Sequence, residues 1–314
     1  MATTTAAATG SARAKGRRSK AVQRSGDWAR RAPLLPALIF TIVMTQLPFV
    51  ATLVISFMNW NAYYPDERGF AGFDNFARVV TDTNTRSAVI VTILLTVSVV
   101  LVSLVLGLCI ALLLDRKFHG RAAVRTLMIT PFLIVPVAAA LLWKHALYNP
   151  EYGLLNGLLK AVLGSDAPQP DWITNNPLIA IIAALVWQWT PFMMLILLAG
   201  LQSRPLDVVE AARIDGASAW QIFTNMTLPH LRQYIELSAL LGAIYVVQNF
   251  DHVFTITSGG LGTANLPYFI YQTFYTAQDY GRASAAGVVV VLGTIIIATL
   301  ALRTVFSLFK EEQR

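Results

Sequence analysis

Two groups of residues carry whatever chemistry this chain performs. Gln188, Trp189 and Phe192 stand in one apolar run, and Tyr245, Gln248, Asn249 and Asp251 stand in another. Planar amides match hydroxyl groups and aromatic faces cover C–H surfaces, so the set suits a neutral, polyhydroxylated solute. The same side chains also serve as glue between spans, because polar groups at membrane depth pair across helices or face a cavity. The second group lies between these runs, in the polar stretch 210–229. Neither group pairs a nucleophile with a base, and no Gly-x-x-x-x-Gly-Lys-[Ser/Thr] phosphate loop occurs. No catalytic residue is assigned, and the energy source is expected on another polypeptide. Cys109 is the single cysteine, and His119, His145 and His230 lack ligand-type neighbours, so neither a disulfide nor a metal site is expected.

The elements that must position these residues are transmembrane helices. Of the 314 residues, 55% are hydrophobic and 13% charged, with a mean hydropathy of +0.57. Soluble domains carry about 25% charged residues. Five runs hold no Asp, Glu, Lys or Arg: 34–58, 87–114, 126–143, 172–203 and 283–302. Each is long enough for the roughly 20 helical residues that cross a bilayer. A sixth candidate, 235–258, carries Asp251 and His252. An all-α integral membrane protein with six transmembrane helices is expected.

Lys and Arg orient it. Eighteen of the twenty-four fall on one side if the N-terminus is inside, which predicts N-in, C-in topology. The net charge of +7 then reflects orientation, and nucleic acid is not an expected partner. Residues 1–32 read as a basic cytoplasmic tail. The first apolar run is too long for a cleaved signal segment and is read as a retained helix. Residues 33–86 hold that helix and an outside loop with one short interfacial helix. The core spans 87–308, with the cytoplasmic insert 203–233 inside it, and 309–314 form a charged tail.

The insert is readable in physical terms. Pro205 suits a first helical turn. The helix is expected to stop at Asp215-Gly216, where glycine allows a sharp turn. Ser218 followed by Gln221 fits a capping box that opens a second helix, which Pro229 is expected to end or kink. Ala211, Ala212, Ala217 and Ala219 keep the flanks small, while Trp220 and Phe223 offer apolar surface. By itself this could be a hairpin that merely connects two spans.

Glu210-Ala211-Ala212, three residues, Gly216, nine residues, Met226, one residue, then Leu228-Pro229 resembles the cytoplasmic signature of permease subunits in binding-protein-dependent ABC importers, with Met where Ile is usual. Gly72-Phe73-Asp74-Asn75-Phe76, Arg125 with Pro131 and Pro136, Trp143, and Asn149-Pro150-Glu151-Tyr152-Gly153 are similar to the carbohydrate, maltose-permease branch. Ser258-Gly259-Gly260-Leu261-Gly262 resembles the branch's Gly-rich outside turn, with Leu where Pro is common.

The resemblance covers about residues 34–308. It implies two six-helix-type permease subunits, usually different chains, and two ATPase subunits beneath them that carry ATP and Mg. It further implies a soluble extracytoplasmic binding protein, and a multi-pass location in a bacterial-type plasma membrane. No cofactor is expected on this chain. Glu210 is the expected polar anchor, Gly216 the hinge, and Trp220 and Phe223 the apolar dock, with Ala211, Ala212, Asp215 and Pro229 shaping the insert. The alternatives are a proton-coupled secondary transporter using Asp251, and an ABC permease for a non-carbohydrate solute.

Overall fold

The computed structural model describes residues 32–311. The basic tail expected at 1–32 and the end of the tail at 309–314 lie almost wholly outside them. The chain divides into two units, residues 1–55 and 56–314. The first holds all but the last residue of helix α1 (Leu35–Ser56), 22 residues long with Pro48 inside it.

The second unit opens with an antiparallel hairpin, β1 (Met58–Asn59) and β2 (Gly69–Phe70), with Met58 opposite Phe70. The short helix α2 (Asp74–Thr81) follows, where an interfacial helix was expected. Asn75 is buried and donates through Nδ2 to the carbonyls of Ser56 and Met58, at 3.0 and 2.8 Å. The motif 72–76 is therefore a structural clasp on the hairpin. Helix α3 (Thr83–Asp115) has 33 residues, about 50 Å at 1.5 Å each, more than a bilayer core needs.

The span expected at 126–143 is not straight. It divides into α4 (Arg121–Leu133) and α5 (Pro136–Leu141), the latter continuing through a π turn to Leu147. The two halves bend by 96°. The cause is local. A residue before proline avoids the helical region, and Ile134 and Val135 are both extended, with ψ of 135° and 133°.

Helices α6 (Leu154–Leu163) and α7 (Trp172–Asn175) lie in the following segment, and α8 (Pro177–Gln202) is a full span. The stretch 149–153 is a turn, in which Asn149 Oδ1 accepts from the N–H groups of Glu151 and Tyr152. Tyr148 beside it donates to the Ala180 carbonyl at 2.9 Å, and burial pushes its phenol pKa upward.

Helices α9 (Leu206–Ile214) and α10 (Ala219–Ile222) build the insert. Then come α11 (Leu228–Val247), α12 (Asp251–Ile256), α13 (Leu266–Tyr271) with a π turn to Thr276, and α14 (Tyr280–Glu311). The candidate span 235–258 is thus broken at Gln248–Phe250. It also holds Glu236, ion-paired to Arg232 at 3.0 Å. Among the described residues three helices are long and apolar enough to cross a membrane, or four if the bent pair is one span.

Helix α3 against α8 is the spine of this unit. Leu95 and Val99 pack with Ile181 and Leu185 at one level, and Ala111 and Leu114 pack with Met194, Leu197 and Leu201 at another. Leu231 of α11 closes the second cluster, next to the insert.

Candidate functional site

The insert has the expected two-helix shape with one difference. Helix α9 begins at Leu206, with Pro205 at the cap position just before it. It ends in a left-handed turn. Gly216 has φ of +89°, its N–H reaches the Arg213 carbonyl, and the Ala217 N–H reaches that of Ala212 at 2.9 Å. These bonds satisfy carbonyls that a helix end leaves without partners. The capping box is formed in both directions: Ser218 N–H donates to Gln221 Oε1 at 2.8 Å, and Gln221 N–H to Ser218 Oγ at 3.3 Å.

An end or a kink was expected at Pro229, and the helix does not end there. Residues 223–227 form a π turn that hands α10 directly to α11, and Pro229 falls in the first turn of α11.

Around this frame, Glu210, Ala211 and Asp215 are exposed and Ala212 is half-buried. Glu210 makes no hydrogen bond or ion pair with any described residue. Trp220 is 71% exposed, with its ring centroid 5.7 Å from that of half-buried Phe223. Asp215, Gly216, Ala217, Gln221, Ile222, Asn225 and Met226 line an open cleft of about 360 Å³. The knob therefore presents an unpaired carboxylate, a bare aromatic ring and a shallow cleft together.

Sequence reasoning missed the neck of the insert. Arg204 pairs with Asp115 at 2.8 Å, donates to Thr227 Oγ1 at 2.8 Å and to the Leu201 carbonyl at 3.0 Å. One guanidinium thus joins the ends of α3 and α8 to the π turn before α11. A second knot lies beside it, where Ser203 Oγ meets Tyr234 Oη at 2.9 Å and His230 Nε2 at 3.1 Å. The signal was available: Asp115 and Arg204 are opposite charges that each close an apolar run.

Of the expected solute-path residues, three come together. Trp189 and Tyr245 stack at 5.4 Å, and Phe192 stands edge-on to both, at 5.7 and 6.4 Å. Phe132 of α4 joins them, 5.7 Å from Trp189 and 5.4 Å from Phe192. Gln188 does not join. It is buried, and its Nε2 donates to the Ile134 carbonyl at 2.9 Å. It satisfies the carbonyl freed by the bend between α4 and α5, which is a structural task. Gln248 is exposed and bonds back to the Ile244 carbonyl of its own helix.

Asn249 sits at the break between α11 and α12. Its Nδ2 meets His252 Nδ1 at 3.2 Å, and its backbone carbonyl accepts from Asn265 Nδ2. Asn249 Oδ1 and His252 Nε2 are buried without a hydrogen-bond partner among the described residues. Asp251 opens α12, and no hydrogen bond joins it to His252. Among the described residues no three His, Cys, Asp or Glu side chains come together.

An apolar cavity of about 500 Å³ lies between α3, α4 and α8, against Leu106, Met128, Pro131, Val186 and Met194. It offers almost no hydrogen-bonding groups, so it does not suit a polyhydroxylated solute.

Residues 103–308 match the family described as binding-protein-dependent transport system inner membrane component. The trehalose/maltose transport system permease protein MalF of Thermococcus litoralis is 34% identical, with 81% of this chain and 86% of that protein covered. The trehalose transport system permease protein SugA of Mycobacterium tuberculosis is 32% identical, with 84% of each covered. A crystal structure of a bacterial ABC transporter involved in import of the acidic polysaccharide alginate contains a chain of the same fold. Its TM-score is 0.77 at 22% identity, covering 93% of this chain and 99% of that one.

Proposed function

The chain belongs to the family of binding-protein-dependent transport system inner membrane components, and from that membership we propose that it imports a sugar or related polyol. It is a membrane-embedded permease of an ABC importer, related to transport permeases. The proposal adds the solute class, six membrane crossings with both ends inside, and a partner set. That set comprises two ATPase subunits holding Mg and ATP, a second permease chain, and an extracytoplasmic binding protein in a bacterial-type plasma membrane.

The observation that carries the energy-coupling half is the insert. Glu210 is an exposed carboxylate with no partner among the described residues, on the same insert as the exposed Trp220 ring and the cleft at Gly216. An ATPase surface that supplies a cation and an apolar cleft completes it. Closure of the ATPase dimer would then move the insert as a rigid body, with free energy drawn from ATP binding to the partner.

The solute half is supported by the Trp189–Phe192–Tyr245 cluster beside the Asn249 break. No Lys or Arg enters that cluster, which favours a neutral solute over an acidic one. The test is uptake by the complete importer in proteoliposomes. Uptake must require ATP, the ATPase and the loaded binding protein, and must persist when the proton gradient is collapsed. Uptake that stops with the gradient while ATP remains would support proton coupling through Asp251 instead. A thermal-shift screen of the binding protein against sugars, disaccharides and polyols then identifies the cargo.

A further inference from the structure

From Asn249 a ribbon of aromatic rings, separate in its residues from the Trp189–Phe192–Tyr245 cluster, runs along α12, α13 and the π turn after it. Phe250 stacks on Phe254 at 5.1 Å and meets Tyr271 at 5.1 Å. Tyr271 meets Tyr275 at 5.0 Å, and Phe274 and Tyr280 carry the contacts on to Trp60. Arg68 caps that end, its guanidinium 3.8 Å from the Trp60 ring centre. Tyr268 flanks the inner part, stacked on Phe250 at 6.3 Å.

The ribbon is built, and it is built onto the break. Asn265 caps α13 by accepting from the Tyr268 N–H at 3.2 Å, while its Nδ2 donates to the Asn249 carbonyl. One amide therefore fixes the ring-bearing helix to the place where α11 ends. Gly259 has φ of +64°, and a Cβ there would fall 2.1 Å from the Tyr268 ring, so this turn presses directly on the ring. The same turn holds Ser258 and Leu261 at φ of 52° and 54°. Left-handed backbone at non-glycine residues is costly and clusters where function requires a fixed shape.

The open faces are amphipathic. Tyr275 is 65% exposed and Phe254 41%. The phenols of Tyr268, Tyr271 and Tyr275 make no hydrogen bond with any described residue. Phenol groups facing hydrocarbon without partners would be costly. A pyranose has the complementary surface, with C–H faces for the rings and hydroxyls for the phenols.

We propose that the ribbon from Tyr275 through Tyr271 and Phe254 to Phe250 is an outer track that hands neutral sugar rings to the Asn249 break. This rests on the carbohydrate-importer reading. Each sugar face leaves one ring for the next about 5 Å on, so the solute keeps partners as it passes inward.

The test uses the complete importer in proteoliposomes, with radiolabelled trehalose and maltose as probes. Tyr271→Leu and Tyr275→Leu are each expected to lower uptake at limiting loaded binding protein by about tenfold, the scale of one lost ring contact. Tyr271→Phe keeps the ring face and stays within about twofold of wild type. ATP hydrolysis stimulated by the loaded binding protein is expected to remain at the wild-type rate in all three, so that cycles run without cargo. Leucine variants that import at the wild-type rate, or that lose import and stimulated hydrolysis together, overturn the track. If the wild-type importer hydrolyses ATP but imports neither sugar, and its binding protein is stabilised by no sugar or polyol in the thermal-shift screen, the carbohydrate reading fails and the track falls with it.

Discussion

Arg204 and Asp115 lie 89 positions apart in sequence and 2.8 Å apart in space, at the ends of α8 and α3. The arginine also holds Thr227, just before α11. The insert between 204 and 227 is therefore closed at its neck by one side chain, and that side chain is fixed to a third helix. A displacement of the insert reaches α3 directly as well as α8 and α11. Arg204→Met is expected to cost about 1–2 kcal/mol, since charge-assisted bonds are lost from a partly shielded site. Its larger effect is on coupling. Transport falls while ATP hydrolysis by the bound ATPase persists, and Arg204→Asp with Asp115→Arg restores part of the transport. Equal losses of hydrolysis and transport would show that the neck does not transmit.

The turn at Gly216 gives a second expectation. Nothing lies within 4 Å of a Cβ added there, so any cost of Gly216→Ala comes from φ of +89° alone, about 1 kcal/mol. Gly216→Ala should insert and transport at a reduced rate. Gly216→Pro cannot adopt positive φ and should abolish transport with the protein still in the membrane. A bulky acid at Ala212 should do the same by blocking the flank. Membrane fractionation, ATPase pull-down and uptake together decide. Normal transport by Gly216→Pro with its ATPase bound would remove the coupling role.

Much of the insert was legible because its signals are local. Gly216 and the Ser218–Gln221 box act within four residues, and both formed as read. Pro229 was misread because a proline's effect depends on what precedes it, and the π turn at 223–227 had no sequence signal. The bend at Ile134–Val135 was announced by Pro136, yet hydropathy averaged across it made one span. Gln188 looked like a solute ligand since an amide in an apolar run demands a partner. Its partner, the Ile134 carbonyl, existed only because of that bend. Asp115 and Arg204 each close an apolar run, but nothing in the sequence pairs those two ends with each other, and the Asn265–Asn249 bond has no sequence pattern at all.

Gln188 and Trp189 are neighbours with opposite expectations. Gln188→Leu takes the side-chain partner from the carbonyl of half-buried Ile134, which costs about 1–3 kcal/mol. It should lower the thermal stability of the purified importer and leave the sugar dependence of transport unchanged in whatever active fraction remains. Trp189→Ala removes the ring stacked on Tyr245 and should change that dependence, with Trp189→Phe partly restoring it. The comparison is made by measuring uptake against sugar concentration alongside melting temperature. A shifted sugar dependence in Gln188→Leu at unchanged stability would put Gln188 in the path after all.

Asp82 sets a pH dependence at the start of α3. Burial works to raise its pKa, but the Thr85 N–H, Arg282, the Thr85 hydroxyl and the Asn84 N–H together hold it below its ordinary value. Its Oδ2 caps α3 through the Thr85 N–H at 3.1 Å and pairs with Arg282 of α14 at 2.7 Å. A carboxylate with a lowered folded-state pKa stabilises the fold fully above its unfolded value, near 3.9, and loses that contribution as pH falls through the folded value. Wild type should therefore keep this link unchanged from neutral pH down to about 4 and lose it below. Asp82→Asn keeps a weaker cap but no charge, so it should melt lower than wild type at pH 7. The gap should begin to narrow below about pH 4 and close only once the pH has passed the lowered folded-state value, where both side chains are neutral. Melting curves of the two proteins across that range provide the measurement, and a gap that persists in acid would mean the charge is not what Asp82 contributes.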